Sequence, residues 1–211
     1  FVERSGFSVI DSLDQFFTEV GKEVVKSVQA VLPLEPSYEA LRALIASEKQ
    51  DHYMQGVDLA HMSKNLIAPI REITDRGGKS WRSYAALACC DVVGGDSRNF
   101  VQWLAMPELM HVGSLIVDDV QDRSTVRRGG PSSHMVYGEP VAINAGTAAY
   151  FITHNLLVSA DLSAHKKLEL YDLYFQAMRT GHAGQAIDHG GMEDLMPEAI
   201  ATGDSRALEQ R

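Results

Sequence analysis

The sequence predicts an all-α protein. Apolar residues recur every three or four positions over most of the 211 residues, which is the period of an amphipathic helix. No segment alternates apolar and polar residues as a half-buried strand does, so no sheet is predicted. Hydrophobic residues make up 45% and charged residues 22% of the chain, a balance typical of a globular protein with a sizeable core. We therefore expect one helical domain over residues 1–211.

The first part of the chain predicts three helical segments. Residues 7–32 carry apolar side chains at helical spacing, and Pro33 and Pro36 end that helix. It is a candidate for packing, including packing against a second subunit. A second helix is predicted over 37–50, and a shorter one over 66–73.

The second part predicts a central helix and at least three more. The central helix covers 101–117, and we expect it to kink or restart at Pro107, which has no amide hydrogen to donate. Further helices are predicted from 142, over 148–160 and over 166–182, with an acidic tail from 193 that leads into another helix. The expected core residues of these later helices are Phe151, Leu156, Leu157, Leu168, Leu170, Leu173 and Phe175.

Charge and composition exclude several classes of protein. A net charge of −9 argues against a nucleic-acid partner, whose binding needs a basic surface, and against attachment to an anionic membrane. No run of 18 apolar residues occurs, so no transmembrane segment is predicted. A disulfide between the adjacent Cys89 and Cys90 would be strained, and we interpret both as small buried residues of a reduced, cytoplasmic protein.

An acidic cluster follows an apolar run near the middle of the chain. Asp118 and Asp122 are one turn apart, so they share a helix face, and Asp119 lies beside them. The same stripe runs upstream through His111 and Glu108. Carboxylates this close repel each other unless a cation lies between them, and oxygen ligands suit Mg²⁺. The alternative is a solvated acidic helix end.

Basic residues flank this cluster on both sides. Arg127 and Arg128 follow it closely, as a site for phosphate groups bridged by a metal would require. Upstream, Gly78 precedes Lys79 and Arg82, whose spacing lets both cations reach one anion at a helix start. The alternative for this second segment is a glycine turn with solvated basic residues.

Together these strings resemble the trans-isoprenyl diphosphate synthases, in particular those that make geranylgeranyl diphosphate. The string Asp-Asp-x-x-Asp-x-x-x-x-Arg-Arg-Gly at 118–129, with its Glu-x-x-His-x-x-x-Leu-x-x-Asp-Asp run-in at 108–119, is similar to their first aspartate-rich motif. Gly-Gly-Lys-x-x-Arg at 77–82 and Gly-Gln-x-x-Asp at 184–188 are also similar. The chain departs from the family pattern at two positions: Ser83 replaces a proline, and Thr147 replaces an aspartate.

The resemblance implies the isoprenoid synthase fold, a helical bundle around a central cavity, and a homodimer. It also implies head-to-tail prenyl transfer, in which Mg²⁺ helps an allylic diphosphate to ionise and isopentenyl diphosphate attacks the cation. The ligands it implies for Mg²⁺ are Asp118, Asp119, Asp122 and Asp188. The residues it implies for diphosphate binding are Arg127 for the allylic substrate, Gly78, Lys79, Arg82, His111 and Arg128 for isopentenyl diphosphate, and Gln185.

Small residues one turn before the aspartates predict a long product. In the family, bulky side chains there close the cavity, so Gly113 and Ser114 predict a product of C20 or longer. The family's second aspartate-rich motif has no counterpart before residue 211, so we expect the bundle to be incomplete at the C-terminus.

Two alternatives to the synthase stay open. A class I terpene cyclase would continue Asn155-x-x-x-Ser159 with an acid at 163, where this chain has Ser163. A non-catalytic subunit of a prenyl diphosphate synthase would explain the missing second motif, although the complete first motif argues against it.

Overall fold

The computed structural model describes residues 13–46, 48–191 and 195–206. In these residues the fold is all-α, as predicted, with one small antiparallel pair of strands, β1 (Val126–Arg127) and β2 (Gly130–Pro131). The α-helices are α1 (Leu13–Val31), α2 (Tyr38–Ile45), α3 (Leu59–Met62), α4 (Ala68–Asp75), α5 (Trp81–Val92), α6 (Ala105–Gln121), α7 (Ser133–Tyr137), α8 (Glu139–Ile152), α9 (His154–Ser159), α10 (Ala164–Gly190) and α11 (Met196–Thr202).

The observed helix ends differ from several predicted ones. Residues 7–12 of the first predicted helix, and 193–194 and 207–211 of the tail, lie outside the described residues. The helix predicted over 37–50 is α2 followed by a separate 3₁₀ segment, Glu48–Met54. The helix predicted over 166–182 is longer at both ends and is the 27-residue α10.

The central helix restarts before Pro107, which was one of the two predicted outcomes. A 3₁₀ segment, Ser97–Leu104, leads into α6, so Pro107 lies in the first turn of that helix. Amide groups in the first turn have no carbonyl acceptor within the helix, so proline, which lacks an amide hydrogen, is tolerated there. Pro69 has a comparable local effect, because a π-helical turn, Ser63–Ile67, precedes it and joins α3 to α4.

The chain divides into two compact units, 1–156 and 157–211. In the first unit, the core is formed mainly by α1, α4, α6 and α8, and α6 packs most extensively against α8. The fully buried side chains with the largest volumes include Leu32, Leu41, Ile67, Ile70, Ile73, Leu104, Leu109 and Ile116. The single domain predicted over 1–211 stays a prediction.

Several residues predicted as core are exposed. Leu168, Leu173 and Phe175 of α10 are more than half exposed, as is Phe151 of α8. The apolar residues of α10 are distributed around the helix and form no single stripe, so the helical period indicated the helix but not which side is buried. Cys89 is also exposed and Cys90 half-buried, so the prediction that both are buried was wrong for Cys89.

Two helical stretches are long and apolar enough to cross a membrane by length and composition alone, Ser97–Gln121 and Glu139–Ser159. This is weak support for a membrane span, because buried core helices pass the same test. The prediction that the chain has no transmembrane segment stays a prediction.

Candidate active site

The acidic stripe lies on α6, and its three aspartates differ in exposure. The Asp118 side chain is 28% exposed, and Asp122 is exposed at the C-terminal cap of the helix, where its amide donates to the Asp118 carbonyl at 2.8 Å. Asp119 is completely buried. The three carboxylates lie close together on the helix, as the sequence predicted. Only Asp118 and Asp122 have solvent exposure.

Asp119 is buried because Arg127 covers it with an ion pair. The Arg127 Nε lies 2.9 Å and 3.1 Å from the two carboxylate oxygens of Asp119, and Nη2 also donates to this carboxylate. These hydrogen bonds raise the pKa of Arg127, and the charges of Asp118 and Asp122 add to the effect. Arg127 Nη2 also lies 3.8 Å from an Asp118 oxygen. The guanidinium of Arg127 is therefore held at the acidic end of α6.

Arg128 points to the other end of the stripe. Its Nη2 donates to Glu108 Oε1 at 2.9 Å, and its Nη1 donates to the Ile73 carbonyl at 3.2 Å. Gly78 lies against this guanidinium, since a Cβ built there would be 3.2 Å from the Arg128 Cζ. Glu108 and Asp119 are eleven residues apart on α6, about 16 Å along the axis. The two adjacent arginines thus diverge to two separate parts of the site.

Arg82 and His111 meet beside Arg128. Arg82 Nη1 lies 3.2 Å from His111 Nε2, and its guanidinium stacks on the Trp81 ring at 4.7 Å from the centroid. Partial burial, followed by the charges of Arg82, Arg128 and Arg127, lowers the pKa of His111 to about 4. The imidazole is therefore neutral at pH 7, so its Nε2 accepts from Arg82 and its Nδ1 carries the hydrogen.

The site therefore has an acidic part and a basic part on one helix. Asp118, Asp119, Asp122 and Arg127 form the acidic part at the end of α6. The basic part, which is formed by Gly78, Arg82, His111 and Arg128, lies beside the N-terminal half of the same helix. Such an arrangement suits two anionic groups, one bridged by a cation and the other bound by arginines directly.

The carboxylates of the partly exposed Asp118 and the exposed Asp122 fit the predicted Mg²⁺. Both offer oxygen atoms one helical turn apart on the same side of α6, and a hard divalent cation prefers such ligands. Both oxygens of Asp119 accept hydrogen bonds from Arg127, which leaves this carboxylate fewer lone pairs for an ion than Asp118 and Asp122 have. Its predicted role as a metal ligand stays a prediction.

Other predicted site residues have different surroundings. Lys79 and Ser114 are exposed, whereas Gly113 is buried against α8. Gln185 and Asp188 lie on α10, in the second unit, where the Gln185 amide contacts His189 Nε2 at 3.2 Å. The roles predicted for all five residues stay predictions.

Sequence reasoning missed Arg76 and the partner of Glu108. Arg76 directly precedes the Gly77-Gly78 pair, and its Nη1 donates to the carbonyls of Arg127 and Pro131. Glu108 was identified in the stripe but given no role, and it binds Arg128, twenty residues away. No local spacing indicates either contact, since each joins segments that are at least 20 residues apart in the sequence.

Comparison with known proteins supports the same interpretation. The family model of polyprenyl synthetase matches residues 63–201. Geranylgeranyl pyrophosphate synthase 4 of Arabidopsis thaliana is 34% identical over 142 residues, which cover 66% of this chain and 37% of that relative.

Relatives in other groups of organisms are similar to a comparable degree. Geranylgeranyl pyrophosphate synthase of Eremothecium gossypii is 30% identical over 131 residues, covering 61% of this chain and 41% of the relative. The short chain isoprenyl diphosphate synthase of Methanothermobacter thermautotrophicus is 33% identical over 132 residues, covering 63% and 40%. The chain spans about two fifths of the length of these curated relatives.

Proposed function

Since the chain belongs to the polyprenyl synthetase family, we propose that it is a trans-prenyltransferase that condenses an allylic diphosphate with isopentenyl diphosphate to give a prenyl diphosphate of C20 or longer. The observation that carries this proposal is the division of the site on α6. Two anionic groups must be held, and two separate sets of residues, contributed by α6, α5 and the hairpin, lie along α6 to hold them.

The acidic part is suited to the allylic diphosphate. Mg²⁺ supplies charge neutralisation for the leaving diphosphate when it is bound. Asp118 and Asp122 would hold it, and Arg127 is already oriented by Asp119 beside them. Because that guanidinium is fixed before substrate arrives, little reorganisation is needed when charge develops on the leaving group.

The basic part is suited to the diphosphate of isopentenyl diphosphate. Arg82 and Arg128 supply paired N–H donors, the neutral His111 supplies one more, and Gly78 leaves room beside Arg128. Lys79, exposed two residues before α5, adds a further positive charge. With both substrates held in line, the allylic C–O bond breaks, the diphosphate leaves, and the alkene of isopentenyl diphosphate bonds to the allylic carbon without a nucleophilic side chain. The cation that results loses a proton to form the new double bond.

Ser114 is the better of the two predicted product-length positions. It is exposed on α6 one turn before Asp118, whereas a side chain at Gly113 would run into α8. A small residue at 114 supports a longer product, and Ser114→Phe is expected to shift the product toward C15.

The proposal is tested by assaying the protein, expressed as its gene encodes it, with Mg²⁺, isopentenyl diphosphate and farnesyl diphosphate. Mass spectrometry should detect a C20 or longer diphosphate that is lost in Asp118→Ala and on chelation of the metal. Asp161→Ala, which removes an exposed carboxylate from a loop, should leave elongation unchanged.

Two other results would replace the proposal. A cyclised hydrocarbon as the main product would indicate a terpene cyclase. Absence of elongation together with tight binding to an active prenyl diphosphate synthase would indicate a non-catalytic subunit. The homodimer and the cytoplasmic location are proposed with the synthase, and size-exclusion chromatography with light scattering tests the first.

A further inference from the structure

Arg127 and Arg128 reach the site from a hairpin that is too short to be stable alone. Its strands β1 and β2 have two residues each and pair in the register Arg127 to Gly130. Arg128 and Gly129 form the loop with φ of +49° and +75°, the left-handed backbone of a type I′ turn. Glycine adopts this conformation readily, but an arginine does so at a cost. The rest of the fold must therefore hold this turn in place.

Arg76 supplies much of that support. Its Nη1 donates to the carbonyl of Arg127 at 2.9 Å and to the carbonyl of Pro131 at 2.7 Å, so one guanidinium binds both strands. Gly130 makes this approach feasible, because a Cβ there would lie 2.7 Å from the Arg76 Cζ. The Arg76 side chain is only 18% exposed.

Glu72 and Tyr137 hold Arg76 in turn. Arg76 Nη2 donates to Glu72 Oε1 at 2.6 Å across one turn of helix. The Tyr137 hydroxyl shares a hydrogen bond with Glu72, and burial together with this neighbour raises the pKa of Tyr137 to about 12. The hydroxyl therefore stays protonated and can donate to Glu72. The contacts connect α4, the hairpin and α7, which directly follows the hairpin.

We propose that Arg76, oriented by Glu72 and Tyr137, is a positioning residue that fixes the hairpin so that Arg127 and Arg128 face the two separate parts of the site. Arg76 acts through the hairpin backbone and is not itself a diphosphate ligand. This inference rests on the proposed function in one respect only, that the two hairpin arginines bind diphosphate groups.

The three arginines therefore have different roles. The side chains of Arg127 and Arg128 pair with carboxylates and are available to bind substrate, whereas the side chain of Arg76 donates hydrogen bonds to backbone carbonyls. Lysine could not replace Arg76 fully, because a compact ammonium lacks the planar fork that reaches two carbonyls and a carboxylate together. A displacement of the hairpin by about 1 Å is enough to lower activity by about 100-fold.

The test compares wild type with Arg76→Met, Arg76→Lys and Tyr137→Phe, using the full-length protein. Isothermal calorimetry measures binding of inorganic pyrophosphate with Mg²⁺, and steady-state kinetics measure KM and kcat. Arg98→Met is the matched control, since Arg98 also pairs with a carboxylate, Asp96, but at an exposed position away from the site. Circular dichroism verifies that each variant is folded.

We expect Arg76→Met to weaken pyrophosphate binding and to raise KM for both substrates by about 10- to 100-fold. Arg76→Lys should recover only part of this loss, and Tyr137→Phe should show a smaller loss of the same kind, which keeps the test informative if Arg76→Met does not fold. Arg98→Met should match wild type. The Arg76→Met effect should also become much smaller when Arg127 and Arg128 are both methionine, because no side chains remain to be positioned.

Distinct results separate this inference from the proposed function. In one outcome, wild type binds pyrophosphate without elongating, while the effect of Arg76→Met on binding still depends on the two hairpin arginines. In that case the synthase proposal fails and the positioning role stands. Unchanged pyrophosphate binding in Arg76→Met, or an equal effect with and without the hairpin arginines, would overturn the positioning role. If wild type neither elongates nor binds pyrophosphate, both are overturned.

Discussion

The carboxylate of Asp119, which has no solvent exposure, accepts three hydrogen bonds from Arg127, eight residues further along the chain. The second aspartate of the acidic motif therefore orients an arginine, while its neighbours Asp118 and Asp122 face solvent. A buried charge without a partner is expensive, so this pair also links the folding of α6 to that of the hairpin.

We expect a strong coupling energy between Asp119 and Arg127. Arg127→Ala leaves a buried carboxylate without its partner, which costs about 3–5 kcal/mol of unfolding free energy. Combining it with Asp119→Asn should recover part of that loss, because no buried charge then remains. Urea denaturation of the two single variants and the double variant gives the coupling directly. Additive effects of the two substitutions would contradict the pair.

His111 should make the protein less stable in mild acid. Its pKa is about 4 in the folded state, below the ordinary value of 6.5 that applies to the unfolded chain. Between these values the unfolded chain binds more protons, so His111 contributes stability that is fully present above pH 6.5 and is lost as the pH falls toward 4.

The measurement is the unfolding free energy of wild type and His111→Asn from pH 4 to pH 8. Subtracting the unfolding free energy of the variant from that of wild type removes the contribution of the other histidines. The remaining difference should rise with pH up to about 6.5 and then level off. Titration of the His111 ring by NMR gives its pKa independently. A difference in unfolding free energy that does not change with pH, or a ring pKa near 6.5, would show that burial and the three arginines do not lower the pKa of His111.

Gly113 is required for the close packing of α6 on α8. A Cβ at this position would lie 2.6 Å from the Gly146 carbonyl oxygen and 3.0 Å from the Ala149 Cβ, both on the facing helix. Gly113→Ala should therefore destabilise the protein by about 1–3 kcal/mol through overpacking. Thermal denaturation measures the change.

Gly184 provides the matched control for Gly113. It also lies within a helix, but a Cβ there would meet no atom within 4 Å among the described residues. Gly184→Ala should stabilise the protein by up to about 1 kcal/mol through helix propensity alone. Equal changes in stability for Gly113→Ala and Gly184→Ala would show that α8 does not constrain Gly113.

Ser83, which replaces the proline of the family pattern, is buried, and its hydroxyl is unsatisfied among the described residues. It has no solvent exposure, and its Oγ has no hydrogen-bond partner in the part of the chain that the structure describes. Ser83→Ala should raise the unfolding free energy by about 1 kcal/mol, because it removes the cost of the buried hydroxyl.

Ser27→Ala is the corresponding control in chemical denaturation. Ser27 is also buried in a helix, but its Oγ donates to the Val24 carbonyl at 2.9 Å. Removing a satisfied hydroxyl should give no stabilisation of this kind. Equal losses of stability in both alanine variants would contradict the unsatisfied hydroxyl of Ser83.

The sequence was sufficient to predict the helical fold and the acidic stripe, because both follow from local geometry. Residues three and four apart lie on one side of a helix whatever surrounds it, so the grouping of Glu108, His111, Asp118 and Asp122 on α6 required no knowledge of the tertiary structure. The resemblance to the family's motifs then led to the chemistry proposed for this group.

Only the tertiary structure decided which of these residues are buried and which partners they have. Arg127 and Arg128 are adjacent in sequence, yet a left-handed turn sends their side chains to carboxylates about 16 Å apart on α6. Asp119 is buried because Arg127 covers it, and Arg76 holds the hairpin through backbone carbonyls, which have no signature in the sequence. The periodicity of a helix is a local property, whereas burial and ion pairing depend on segments that meet only when the chain has folded.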